Sequence, residues 1–341
     1  MVQNVGQSAL ERLQSKKIER PTRAWSYMHT GAWGQPKVGK SDLILSARTS
    51  EVRTKAKTEP DGKFGMKVVE EGKVVIPSKP LRIAFANFDR SSDTVLAALP
   101  PDFEIYEERY FEDEDGLPIV DPTGQVYQAQ LNRFRVQMRD VGELAREGFI
   151  DLFGLDGGTI TWENIRELRL PAPEGKDPDG GVKHLPRQYA PANKEMRETV
   201  MQQLYSLQCN TVVTLEAGEV WTGQNKTAED SSEPGGTKLK MDGWNKSLHY
   251  VDAEVKVHFR ERPTANPAVL ARQREVLFGP ATIRPQLIGT YFKVAEREPG
   301  KPLPKSALAE IYERVFSAPL LRVQDRAVFA ELEAEHGQLE W

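Results

Sequence analysis

Three stretches of the sequence, at 81–89 (LRIAFANFD), 149–156 (FIDLFGLD) and 210–216 (NTVVTLE), place apolar residues side by side rather than at alternate positions. A strand with one wet face alternates, so consecutive apolar positions predict strands covered on both sides, as in a parallel sheet between helices. The runs are far short of the roughly 20 residues that cross a bilayer, and no apolar run of about 18 occurs elsewhere, so no membrane contact is expected. Between the runs the period changes. Val126, Leu131, Phe134, Val136, Met138, Val141, Leu144 and Ala145 predict a helix over 125–147 that packs on the sheet, and 193–208 reads as another helix. Residues 103–111 read as a further strand. So do 248–262, where Val251, Ala253, Val255 and Val257 alternate. Strands taking turns with helices predict an α/β protein with a doubly wound, mainly parallel sheet.

The length of 341 residues exceeds a core of about 200–250, which leaves room for appendages. Val5, Leu10, Leu13 and Ile18, ahead of Pro21, predict a helical arm over 1–21. The core is expected over 22–262. Inside it, two Val-rich runs around Glu71-Gly72 predict a hairpin insertion at about 54–80. Residues 263–341 form a C-terminal accessory region, with strands or an extended arm over 275–298 and two helices beyond. The first 20 residues lack the apolar core of a signal peptide, and Cys209 has no partner for a disulfide, so the cytoplasm is the expected setting.

The most specific chemical signal is Gly34-Gln35-Pro36-Lys37-Val38-Gly39-Lys40-Ser41, which matches GxxxxGK[ST] at every fixed position and is followed by Asp42. Glycines let the backbone curl so that successive amides face a phosphate, the lysine reaches the β- and γ-phosphates, and the serine hydroxyl meets Mg²⁺. The match lies where a strand (24–33) should meet a helix opened by SDLILSARTSEV, which favours a site for ATP over a surface Gly-Lys turn. Asp156 ends the second apolar run, where a carboxylate can hold the Mg²⁺ water shell; the alternative is a turn residue before Gly157-Gly158. Asp89 ends the first run and could orient an attacking water, or cap the helix begun by SSDTVL, as Ser91 or Ser92 also could.

In the loop 217–247, Trp221 and Trp244 alternate with Lys226, Lys238, Lys240 and Lys246. Indoles stack on bases and lysines meet phosphates, so the segment is a candidate for single-stranded DNA, against the alternative of a solvated loop in which Glu219, Glu229, Asp230 and Glu233 offset the charge. A net charge of -4 neither requires nor excludes nucleic acid. The five histidines show no metal spacing, and one cysteine cannot build a zinc site.

The order of these pieces resembles the RecA-like ATPase core, most closely the phage-encoded RecA-like recombinases and single-strand annealing ATPases. The resemblance covers about 22–262 and is carried by GQPKVGKS, FANFD, FGLDGGTITWENI, ANKEMRETVMQQL and TVVTLEAGEVW. It implies Mg²⁺-dependent ATP hydrolysis coupled to single-stranded DNA, with Lys40, Ser41 and Asp156 at the phosphates and the metal. Asp89 stands where that family usually has glutamate. Thr214 and Glu216 stand where it has a polar γ-phosphate sensor, often histidine or glutamine. The resemblance further implies that Arg260 and Arg262, at the end of the last core strand, reach a neighbouring subunit's phosphates, and hence a homo-oligomer, either ring or filament. Two other readings share these residues: a ring-forming DNA motor, such as a helicase or packaging ATPase, and a nucleotide-binding structural or regulatory module with negligible turnover.

Overall fold

The computed structural model describes residues 26–60, 66–70, 72–113, 115–119, 124–176, 182–219, 239–244, 246–263, 270–295 and 303–341. The arm expected at 1–21 lies outside them. In chain order the first strands are β1 His29–Gly34, β2 Val52–Thr54, β3 Lys57–Pro60, β4 Met66–Glu70, β5 Val74–Ile76, β6 Ile83–Asn87, β7 Ile105–Arg109 and β8 Leu152–Asp156. They continue as β9 Gly175–Lys176, β10 Val182–Lys183, β11 Asn210–Glu219, β12 Leu239–Met241, β13 Ala253–Pro263, β14 Leu270–Phe278, β15 Tyr291–Lys293 and β16 Leu339–Glu340. The α-helices are α1 Lys40–Leu45, α2 Asp93–Ala97, α3 Gly124–Arg146, α4 Gly158–Arg169, α5 Ala190–Glu195, α6 Gln202–Ser206, α7 Ala307–Phe316 and α8 Asp325–His336, with a π-helical stretch Met196–Met201 joining α5 to α6.

The main sheet has the order β15-β14-β13-β1-β11-β8-β6-β7. From β13 to β7 every pairing is parallel, whereas β14 and β15 add on antiparallel. Side chains alternate across it and find apolar cover on both faces. Ala32, Ile83, Phe85, Leu152, Val212 and Val255 share one core with Ile44 and Leu45 of α1 and with Leu308, Ile311, Tyr312 and Val315 of α7. Trp33, Ala84, Ala86, Phe153, Leu155 and Val213 share the other with α3, α4 and the 190–206 helical segment. This two-sided burial is the physical reason that the strand sequences carry consecutive apolar residues.

Several expectations shift at the level of single elements. In α3 the buried stripe runs through Leu131, Phe134, Met138, Val141 and Ala145, while Val136 and Leu144 turn outward. The helix after the glycine loop stops after six residues: the Ser46 hydroxyl donates back to the Asp42 carbonyl, and Thr49, Ser50 and Val52 a few residues on are weak helix formers. Ser92 occupies the N-cap of α2 without capping it, and its hydroxyl instead takes a hydrogen bond from Asn87. The two Val-rich runs around Glu71-Gly72 do not pair with each other. β4 pairs with β3, and β5 pairs with β2, whose other edge carries β16 from the end of the chain.

The segment after 263 continues the same body. β14 lies against β13 across the expected boundary, and α7 presents Leu308, Ile311, Tyr312 and Val315, at spacings of three and four, to the core beside α1. Its Tyr312 hydroxyl donates to the Ser26 carbonyl at 2.8 Å. A buried ion cluster fastens the far end: Arg82 grips Asp151 with two hydrogen bonds of 2.8 Å, and Arg322 stands 3.6 Å from the same carboxylate. If α7 is part of the core rather than an add-on, Ile311→Ala should cost about 2–5 kcal/mol of global stability. Denaturant unfolding should show one transition moved to lower midpoint; an unmoved main transition would mean that the C-terminal segment unfolds independently.

Candidate functional site

Parallel register aligns a row of chain ends along one edge of the sheet. Gly34 of β1 lies level with Glu216 of β11, Asp156 of β8 is level with Asn87 of β6, and β11 runs between β1 and β8. Gly34 passes so close to β13 that a Cβ would sit 2.3 Å from the Val257 carbonyl, so only glycine fits. The chain then turns through exposed Gln35, Pro36 and Lys37, buries Val38 and enters α1 at Gly39. Lys37 and Gly39 have φ of 63° and 93°, the left-handed conformations that curl the loop.

Within this curl Lys40 folds back, donating to the carbonyls of Gly34 and Gln35, both at 2.9 Å. Burial lowers its pKa, against which the charges of Glu216, Asp156 and Asp89 pull upward. Thus all three sequence-predicted carboxylates act on the loop lysine. Asp156 is the most enclosed, 2% exposed. It accepts hydrogen bonds from the Ser41 hydroxyl at 2.6 Å and the Thr214 hydroxyl at 2.5 Å. Thr214 in turn accepts the Gly157 amide at 3.0 Å, which anchors the start of α4. At the end of β11, the Glu216 amide donates to the Thr159 hydroxyl, and that hydroxyl donates to the Asp242 carbonyl.

Asp89 lies two residues past the end of β6, its amide donating to the Asn87 side chain. The strand end proper is Asn87, fully buried and bonded to Ser92 and to Glu107 of β7, each at 2.6 Å. Sequence reasoning passed over Asn87 and Glu107 because neither ends an apolar run in a carboxylate.

The structure separates the other candidates. Arg260 lies three residues beyond Val257 on β13, about 10 Å farther along the strand. It is half exposed, 3.8 Å from Glu275 and over the Tyr291 ring. Arg262 follows on the same strand. Among the described residues, Arg274 of β14 touches the loop: its guanidinium pairs with Asp42 at 2.7 Å and lies against Gly39.

The expected DNA loop begins and ends as a ribbon, because β12 pairs antiparallel with 217–219 of β11 and carries Lys240 opposite Gly218. Trp221, Lys226 and Lys238 lie outside the described residues. Trp244 is not available for stacking on bases: it is 1% exposed, its indole N–H donates to Asn193 at 2.7 Å, and its ring stacks on Tyr250. Lys246 instead joins Lys194, Arg197 and His249 along a surface cleft beside it. Cys209 is buried and burial pushes its thiol pKa up, so it is no nucleophile. No helix among the described residues is long and apolar enough to cross a membrane. No protein-family model matches the chain, and no curated protein matches it significantly.

Burial is the main cause that raises the Asp156 pKa above the usual carboxylate range, outweighing its two hydroxyl donors. A carboxyl with a raised folded pKa stabilises the fold fully below its unfolded pKa of about 3.9 and loses that contribution as pH rises through the folded value. At pH 7, without nucleotide or Mg²⁺, Asp156→Asn should therefore melt about 2 °C or more above the wild type. The gain should vanish as the pH falls toward 4. Equal melting at pH 7 would mean that the charge is fully compensated where it stands.

Proposed function

We propose that the chain is an Mg²⁺-dependent ATPase of the RecA-like P-loop kind that works on single-stranded DNA as a homo-oligomer. The observation that carries this reading is the meeting of Lys40, Ser41 and Asp156 at one sheet edge, with the loop serine bonded to the carboxylate of a strand two places away. Support also comes from the strand order, in which the glycine loop follows a central parallel strand and the carboxylate ends β8 across β11.

The donor set suits a hard cation. A hydroxyl and a carboxylate offer oxygens, and Mg²⁺ takes its other ligands from water and phosphate, so a cage of three acidic or imidazole ligands, which is absent among the described residues, is not required. Asp89 and Glu216 stand close enough to act on Lys40, and a divalent cation would offset their repulsion of a triphosphate. When bound, Mg²⁺ held by Ser41 and Asp156 would supply positive charge against the charge that develops at the phosphates. The chain's own part is positional. Lys40, which now donates to the Gly34 and Gln35 carbonyls, would turn to phosphate oxygens beside the amides of the curled loop. Thr214 would fix Asp156, and Asp89 would orient water, with Glu216 a second carboxylate at the same edge. Asn87 favours a second reading, a nucleotide-binding module with slow turnover, because an amide at the strand end cannot accept a proton from water.

Lys40→Ala removes the loop cation on which the three carboxylates act, and little apolar surface. Phosphate release from ATP should fall about a hundredfold or more while the melting curve holds. Wild-type turnover in this variant would remove the ATPase reading. Stoichiometric Mg²⁺-ATP binding by the wild type with no release, with or without DNA, would decide for the slow module.

For nucleic acid, with Trp244 buried, the contacts this region could offer are those of the cleft cations Lys194, Arg197 and Lys246 with phosphates. Lys194→Ala with Lys246→Ala should weaken single-stranded DNA binding and reduce the slope of log affinity against log salt by about 0.7 per lost phosphate contact. An unchanged slope in filter-binding or anisotropy titrations would place the DNA elsewhere.

A further inference from the structure

The ten-residue helix α7 begins without a cap. Ser306 stands at its N-cap with extended backbone, φ -65° and ψ 135°, and its carbonyl accepts the first helical hydrogen bond, from the Glu310 amide at 3.1 Å. A serine in that place ordinarily accepts an amide of the first turn on its hydroxyl. This one makes no such bond. Its hydroxyl has no hydrogen-bond partner at all, although the residue is only 6% exposed. A buried hydroxyl left unpaired costs stability, and the first amides of the helix likewise have no acceptor inside it. Hydroxyl and amides are all donors, which is the chemistry that receives an oxyanion.

Ser306 lines a cleft between α7, α1 and β14, whose empty space, part of it open to solvent, is about 520 Å³. The charged residues of its lining are Asp42, Arg48, Arg274 and Lys305, three cations to one carboxylate. Asp42 is paired with Arg274 at 2.7 Å, and Lys305 with Glu310 and Glu313. Arg48 differs. Among the described residues its guanidinium touches no carboxylate, donating instead to the hydroxyl and carbonyl of Ser78 at 3.4 and 3.0 Å. Burial lowers its pKa, and Asp102 opposes that through charge alone. An anion in the cleft would therefore meet both an unused hydroxyl and a cation without a contacting counter-charge.

We propose that this cleft is a second anion site, which binds a terminal phosphate, free or carried by a small molecule: the Ser306 hydroxyl and the first amides of α7 donate to its oxygens, and Arg48 supplies charge. Lys40 does not line the cleft, so the site is distinct from the glycine loop and does not rest on the nucleotide reading above.

The test uses the full chain, with inorganic phosphate and glycerol 3-phosphate titrated by calorimetry at matched ionic strength and folding followed by thermal melting. Lys40→Ala removes the loop cation and leaves the cleft lining untouched, so this variant should still bind phosphate. Adding Ser306→Ala to it should weaken that binding about tenfold, the loss expected for one hydrogen bond to a charged group. Without phosphate, Ser306→Ala should melt at or above the parent, because an unpaired buried hydroxyl is gone. Arg48→Gln should also weaken phosphate about tenfold, and Arg48→Lys should recover part of the loss. Binding of either ligand supports the site, and the tighter of the two tells whether the free ion or a phosphate monoester is its occupant. Loss of phosphate binding in Lys40→Ala alone would put the ion on the glycine loop and overturn the proposal. So would a wild type that binds neither ligand, or an affinity that Ser306→Ala leaves unchanged. A Ser306→Ala variant that melts lower in the absence of phosphate would also overturn it, by showing that the hydroxyl already serves the fold.

Discussion

A buried carboxylate held by two hydroxyls is the contact on which the candidate site depends. Asp156 receives Ser41 from the loop and Thr214 from β11, so one side chain joins segments 115 and 58 residues apart in the sequence. The arrangement is electrostatically costly, since burial opposes the charge and two hydroxyls are weaker compensation than a cation. On the proposed reading, a positive ion would supply the compensation that the hydroxyls do not. Release of Ser41 from Asp156 and of Lys40 from the Gly34 and Gln35 carbonyls would be local side-chain moves, with the sheet edge as a fixed frame.

That frame is wider than the parallel strands. Ile44 and Leu45 of the short helix after the loop share their core with α7, and Arg274 of β14 sits against Gly39. The loop is therefore backed on one flank by residues from the last quarter of the chain. This has an energetic consequence: burying Leu308, Ile311 and Val315 stabilises by about 1.5–3 kcal/mol each, and part of that stabilisation supports α1 directly. A six-residue helix would not hold its place without such packing.

Much of this was legible in the sequence, for definable reasons. FIDLFGLD and NTVVTLE announce strands buried on both faces, and GQPKVGKS has a fixed spacing because its backbone conformation is fixed, so β8, β11, the loop and Asp156 follow from local pattern. What failed to show depends on partners distant in the chain. The Val-rich runs around Glu71-Gly72 look like a hairpin until β16, from residues 339–340, is seen on the edge of β2. Trp244 looks like a stacking platform until Asn193 and Tyr250 enclose it. Arg274 lies in a polar stretch, ARQRE, that gives no local sign of facing Asp42; only the antiparallel pairing of β14 with β13 brings it there.

The most direct test of the central claim is a crystal structure of the protein with Mg²⁺ and a non-hydrolysable ATP analogue. The account predicts phosphates against the amides of 34–41, Lys40 turned from the loop carbonyls to phosphate oxygens, and the Ser41 hydroxyl on the metal with Asp156 beside it. An analogue bound elsewhere, or a loop in which Lys40 and Ser41 keep their present partners with ligand in the crystal, would contradict it.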